Sequence, residues 1–164
     1  MPSFYAILKA NITSILTGTT GILTGTTELL EEFEHTTRIF PEDTDETVTF
    51  TASAIANAWS AWTEVVDNNG VTFSSKFALK EGHISALVVE TTSVAGKYYM
   101  SEIAYGDAKA IISRYRLYTG SVPKQESRLH GITIPVGEKV YYRSKASQGG
   151  INATLHFRYH YHNA

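Results

Sequence analysis

Cysteine is missing from this chain, which excludes a disulfide framework and any thiolate-ligated metal centre. Stability must therefore come from packing within the chain or against neighbouring subunits. No apolar run approaches the roughly 18 residues a transmembrane helix requires, so no membrane span is expected. The opening Met1-Pro2-Ser3 shows no basic stretch ahead of a long apolar one, so no signal peptide is expected either. Catalytic signatures are equally scarce. There is no Gly-x-Ser-x-Gly elbow and no His-Glu-x-x-His. The glycines at 18, 21 and 25 lack the lysine of a phosphate-binding loop. The paired acids Glu31-Glu32 and Glu42-Asp43 sit where solubility is their simplest role. No catalytic residue, cofactor or resident metal is expected, and the protein reads as non-enzymatic.

What is present is a core-forming composition. Apolar residues make up 43% of the 164 residues, which suits one domain of ordinary size with an extension. The net charge of −2 conceals a split. Residues 1–67 carry two basic side chains against ten acidic, or −8, and residues 68–164 carry twelve against six, or +6. Such polarity suits contacts between copies, and ordinary solvation of two surfaces accounts for it equally well. The basic residues are spread singly along the chain, so no nucleic-acid partner is expected.

Near the N-terminus Ser14-Ile-Leu-Thr-Gly-Thr-Thr20 is followed by Gly21-Ile-Leu-Thr-Gly-Thr-Thr27 and then by Glu28-Leu-Leu-Glu-Glu-Phe-Glu34, a period of seven. With Ile12 at heptad position a, Ile15, Ile22 and Leu29 fall at d, Leu16, Leu23 and Leu30 at e, and Phe33 again at a. The stripe predicts a helix whose apolar ridge faces partner chains. Glycine works against it at roughly 1 kcal/mol per residue, so the alternative is an extended Thr/Gly-rich strand. Residues 1–40 are thus read as a helical oligomerisation or docking arm, and 41–164 as a β-domain. Pro41 and the acidic run Glu42-Asp-Thr-Asp-Glu46 mark the boundary.

Beyond it the period becomes two. Thr47–Thr51 alternates, and Ala61–Val66 leads through Asp67-Asn-Asn-Gly70 to Val71–Phe77, which predicts a hairpin. Further strands are predicted over His83–Glu90, Gly96–Tyr105, Ala110–Tyr118, Gly131–Pro135, Lys139–Lys145 and Ile151–His162. Nine strands without interposed amphipathic helices exclude a parallel α/β sheet. They predict a mainly β protein, an antiparallel jelly-roll or β-sandwich with an N-terminal helical arm.

The segments Ile132-Thr-Ile-Pro-Val-Gly137, Val140-Tyr-Tyr-Arg143, Ser147-Gln-Gly-Gly150 and the strand running to His162 resemble jelly-roll modules of tailed-phage virion proteins. These are the head-decoration, tail-decoration and fibre-type subunits, and Gly96–Gly106 is similar to another strand of such modules. The resemblance covers roughly residues 80–160. It implies a virion structural subunit, homotrimeric or of higher order, docked on other virion proteins and without catalytic residues. The Thr/Gly-rich arm departs from the usual Leu/Ile-rich coil of that layout.

Two groups of residues invite a site. In Leu155-His-Phe-Arg-Tyr-His-Tyr-His162 a strand puts Leu155, Phe157, Tyr159 and Tyr161 on one face and His156, Arg158, His160 and His162 on the other. The histidine face is an interface or solvated face, or a place where His160 and His162 chelate a divalent metal. The tyrosines at 98, 99, 105, 115, 118, 141 and 142, with Trp59 and Trp62, serve as core and sheet-face packing or as a sugar-binding platform. The spacing of Trp59 and Trp62 predicts one turn of helix entering a strand. The sequons at Asn11 and Asn152 are read as chance occurrences. The expected setting is a virion, with an extracellular or cell-surface filament or a glycan- or receptor-binding module as the alternative.

Overall fold

The computed structural model describes residues 13–22, 37–119, 125–129 and 131–162. The chain divides into two compact units, Met1–Thr36 and Thr37–Ala164. The second takes in Arg38-Ile-Phe40, which the sequence reading gave to the arm.

In the first unit residues 13–22 form a helix, α1. Its threonines are accommodated locally. The hydroxyls of Thr17, Thr19 and Thr20 each donate to the carbonyl oxygen four residues earlier at 2.9 Å. In this way residues of modest helix propensity satisfy their own polar groups along the helix. Ile15, Leu16 and Ile22 are 67%, 62% and 71% exposed. Ile12, Leu23, Leu29, Leu30 and Phe33 lie outside the described residues.

The second unit is all-β, with nine strands among the described residues: β1 (Arg38–Phe40), β2 (Val48–Thr51), β3 (Thr63–Glu64), β4 (Gly82–Thr92), β5 (Tyr98–Tyr105), β6 (Ala110–Tyr118), β7 (Gln125–Arg128), β8 (Val140–Ala146) and β9 (Asn152–Tyr161). They make two antiparallel sheets. One has the order β1-β9-β4-β7, with β2 also on β9, and the other has β3-β8-β5-β6. The alternation in β9 is clean: Leu155, Phe157 and Tyr159 are fully buried, and the intervening residues are half-buried. Facing them from the second sheet are Tyr99, Ile103, Tyr115, Leu117, Val140 and Tyr142, so the core lies between the sheets.

The predicted hairpin at 61–77 is only partly present. Its turn forms: Asp67 Oδ1 accepts from the backbone N–H groups of Asn69 (2.9 Å) and Val71 (2.8 Å), and Gly70 takes a φ of +85°. The return limb pairs only through a bridge of Val66 with Thr72, and Phe73–Phe77 then winds into a 3-10 helix. The reason lies in Ser75. A strand would send Phe73, Ser75 and Phe77 to one face and bury a hydroxyl with them. The helical turn buries both rings and leaves Ser75 exposed. Phe73 lies at the centre of an aromatic cluster, 4.8 Å from Phe40, 4.7 Å from Phe157, 5.3 Å from Phe77 and 5.3 Å from Tyr159.

Three other expectations shift. Gly131–Pro135 supplies a single bridge, Ile134 with Gly82, rather than a strand. Strands β1 and β7 lie where none was predicted. Trp59 and Trp62 sit in an irregular segment, not a helical turn. That segment is held along β8: Asn57 N donates to Ala146 O (2.8 Å), Ser60 N to Ser144 O (2.9 Å) and Gly150 N to Ser53 O (2.8 Å). Gly149 permits the approach, since a Cβ there would lie 1.9 Å from the Ala54 carbonyl oxygen.

Replacing Phe73 by Ala is expected to cost about 3–5 kcal/mol in urea unfolding. Ser75→Asp, at an exposed position, should stay within about 0.5 kcal/mol of wild type. A large loss from the serine variant would indicate a strand there after all.

Candidate functional site

The outer face of the first sheet is built on β9. His156, Arg158 and His160 point to it, half-buried, and His162 follows just beyond the strand. Two of these side chains are paired with carboxylates. His156 Nδ1 lies 3.0 Å from Glu90 Oε1 on β4, and Arg158 lies 3.4 Å from both oxygens of Glu126 on β7. The other two meet a third histidine. The β4–β9 register sets His83 opposite His160, with ring centroids 3.6 Å apart and edge to face, and His162 packs 4.6 Å from His83. His83 Nδ1 and His162 Nε2 are in direct hydrogen-bond contact, so one ring's N–H donates to the other's bare nitrogen. Gly131 completes the packing, because a Cβ there would press on the His83 ring.

Metal chelation needs imidazole nitrogens converging at about 2.0–2.1 Å on a shared point. Here two nitrogens face each other instead, and no group of three or more His, Asp or Glu among the described residues is disposed to hold an ion. His83 was not singled out from sequence. Its outward position in an alternating strand was legible, but its partnership with β9 spans 77 residues and depends on pairing that no local pattern encodes.

The second sheet's outer face is more cationic. The cross-strand register lines up Arg114 (β6), Glu102 (β5) and Arg143 (β8) in one row and Arg116, Met100 and Lys145 in the next. Glu102 is fully buried between the two guanidiniums, with Arg143 Nε 2.6 Å from Oε2 and Arg114 in contact with Oε1. Burial alone would raise its pKa, but the hydrogen bonds and charges of Arg143 and Arg114 outweigh that and hold it below the usual carboxylate range. Trp59 and Trp62 lie 4.8 and 4.6 Å from the Arg143 guanidinium, and Lys145 sits 4.6 Å from the Trp59 ring. Residues that are scattered singly in the sequence thus form a cluster. Arg114, Arg116, Arg143 and Lys145 gather around one carboxylate, Glu102.

Of the seven tyrosines named from the sequence, Tyr99, Tyr115 and Tyr142 belong to the core, and Tyr105 packs against it. Tyr98 and Tyr118 stand exposed on the second sheet, 4.7 Å apart, and Tyr141 is half-buried under Lys109. In the first unit, the exposed Ile15, Leu16 and Ile22 are the described part of the heptad ridge. No helix among the described residues is long and apolar enough to cross a membrane.

No protein-family model matches the chain, and a search of curated proteins gives no match. Solved structures that align with it include that of infectious bursal disease virus, Gx strain, at TM-score 0.39 and 13% identity over 80% of this chain and 33% of that one. The VP2 subviral particle of infectious bursal disease virus aligns at 0.38 and 12% over 79% of this chain and 34% of that one. The chain therefore spans about a third of the length of these structures.

The Glu102 arrangement yields a pH dependence. A depressed carboxyl contributes stability above the unfolded value of about 4.3 and loses it as pH falls below that. Glu102→Gln should destabilise by about 3 kcal/mol near neutrality, at the low end for a buried pair because the Arg114 head remains in solvent. Thermal melts should show the gap to wild type narrowing as pH falls below about 4.3. A gap of constant size across that range would refute the charged arrangement.

Proposed function

We propose that this chain is a non-enzymatic structural subunit of a virion that works by self-association and by docking on a larger particle. The observation carrying the proposal is the exposure of Ile15, Leu16 and Ile22 along α1. Gly18 and Gly21 weaken an isolated helix here by about 1 kcal/mol each relative to alanine. Burying the three side chains against partner copies would return about 1.5–3 kcal/mol apiece, enough to reverse that balance. Association is what makes the helix stable.

The finer assignment is a head- or tail-decoration or fibre-type subunit of a tailed phage, assembled as a homotrimer. It draws on the resemblance at Ile132–Gly137, Val140–Arg143 and Ser147–Gly150. In the fold those residues form a turn into β8, then β8 itself, and then the Gly149-Gly150 corner ahead of β9. A second reading, a glycan- or receptor-binding module at a particle or cell surface, is favoured by the exposed Tyr98 among cations on the second sheet.

Sedimentation equilibrium of the full chain should give a mass several times that of one copy, falling on dilution. The triple variant Ile15→Asp, Leu16→Asp, Ile22→Asp should sediment as a single copy, with the far-ultraviolet β signal retained. A wild-type chain that is monomeric at tens of micromolar would sink the proposal, as would a triple variant of unchanged mass.

A further inference from the structure

The row Arg116–Met100–Lys145 floors a cavity of about 190 Å³ on the outer face of the second sheet, walled by Tyr98, Asn57 and Ser147. We infer that this cavity is a binding site for an acidic monosaccharide unit, a sugar ring carrying a carboxylate or sulfate group. This goes beyond self-association and does not depend on it.

Charge comes first. Arg116 and Lys145 flank Met100 on either side, two strand spacings or roughly 10 Å apart at the backbone, and both line the cavity. Neither has a carboxylate partner among the described residues. The nearest acid on the face, Glu102, is already held by Arg114 and Arg143. Each cation is instead seated on an aromatic ring, Arg116 4.5 Å from Tyr98 and Lys145 4.6 Å from Trp59. Such contacts fix the long side chains and leave their N–H donors for a ligand. An anion binds here without first breaking an ion pair.

The shape selects the rest of the ligand. Drug-sized molecules occupy about 300 Å³ or more, so a 190 Å³ cavity suits a single ring. Tyr98 is 47% exposed, with Arg116 over its ring and Tyr118 beside it, so its exposed edge and the Met100 side chain supply the apolar surface for a sugar ring. Around the ring are groups that match hydroxyls. Ser147 Oγ accepts from Tyr98 N at 3.2 Å and keeps its own proton to donate. The Asn57 side chain makes no hydrogen bond among the described residues. Asn57 has a φ of +61°, a left-handed backbone pinned by its N–H to the Ala146 carbonyl, so its position at the rim is fixed. A bare inorganic anion would use only the two cations. A neutral sugar would use only the rest.

Calorimetric titration of the full chain with methyl glucuronide, a sulfated N-acetylglucosamine, methyl glucoside and inorganic sulfate tests this. One or both acidic sugars should bind, the glucuronide arm reporting carboxylate and the other arm sulfate. Each that binds should be at least about tenfold tighter than methyl glucoside or free sulfate. Arg116→Gln and Lys145→Gln should each weaken that binding by about tenfold. Tyr98→Ala should weaken the acidic sugars more than free sulfate, which loses only the seat of Arg116. Arg128→Gln, on the other sheet, should change nothing, and Arg116→Lys should restore part of the loss if charge is what matters. The inference is overturned if neither acidic sugar binds, or if the neutral glycoside binds as well as they do. It is equally overturned if free sulfate matches the sulfated sugar, or if a single-stranded oligonucleotide binds the face while the sugars do not. Sedimentation of the same samples reads the self-association proposal separately, so either can fail alone.

Discussion

The register between β4 and β9 is the constraint on which the rest of the β unit depends. Leu155, Phe157 and Tyr159 face Val89, Leu87 and Ile84 across that ladder, and all six are buried. A slip of one residue would turn the aromatic side outward and put His156, Arg158 and His160 into the core, where unpaired polar groups cost several kcal/mol. The same register creates the histidine cluster, because whatever sets Ile84 against Tyr159 also sets His83 against His160. Core and outer face are two readings of one pairing. Two bulges, at Ile84/Ala86 and Val89/Thr91, bend β4 without breaking that correspondence.

The two outer faces solve the burial of charge differently. On the first sheet the ion pairs are peripheral and half-exposed, and pairs of that kind contribute little. On the second, a carboxylate withdrawn from solvent is bracketed by two guanidiniums, one of them further enclosed by indole rings. Removing the acid would leave two cations facing each other across a strand. Glu102 thus fixes the spacing of the cationic rows, and because this acid is already engaged the neighbouring row has no carboxylate partner among the described residues.

Much of the fold was legible in the sequence. Alternation in Thr47–Thr51 and in the stretch from Leu155 onward named both the strands and their buried faces, because a period of two with aromatics on one side has a single packed solution. Nine strands are also found among the described residues, but the membership differs. Arg38–Phe40 and Gln125–Arg128 are three and four residues long, too short for a periodic signal, and they are strands only because β9 and β4 offer them edges. The Val71–Phe77 limb failed the other way. Its apolar spacing fits a strand and a helical turn alike, and the choice was made by Ser75 and the ring cluster about Phe73. At the candidate sites, the shared outward face of His156, Arg158 and His160 followed from spacing. His83, the Arg116–Lys145 pair and the setting of Trp59 against Arg143 did not, because each arises from strands far apart in the chain. The helix over 13–22 was foreseen against its glycines, and the exposed threonine hydroxyls show how its polar load is carried.

The placement of β9 also governs the order in which the β unit can form. Among the described residues, β1 and β2 have their only strand partner in β9, more than 100 residues further along, whereas β5 and β6 are joined by a tight connection and can pair as soon as both are made. Sheet closure by so distant a segment belongs to the slow-folding class, since the loop must close before its contacts reward it. During synthesis Phe40, Val48 and Phe50 emerge long before the surface that will cover them. A nascent chain with that much uncovered aromatic and aliphatic surface is a natural client for chaperones, and its yield is set by how quickly β9 arrives.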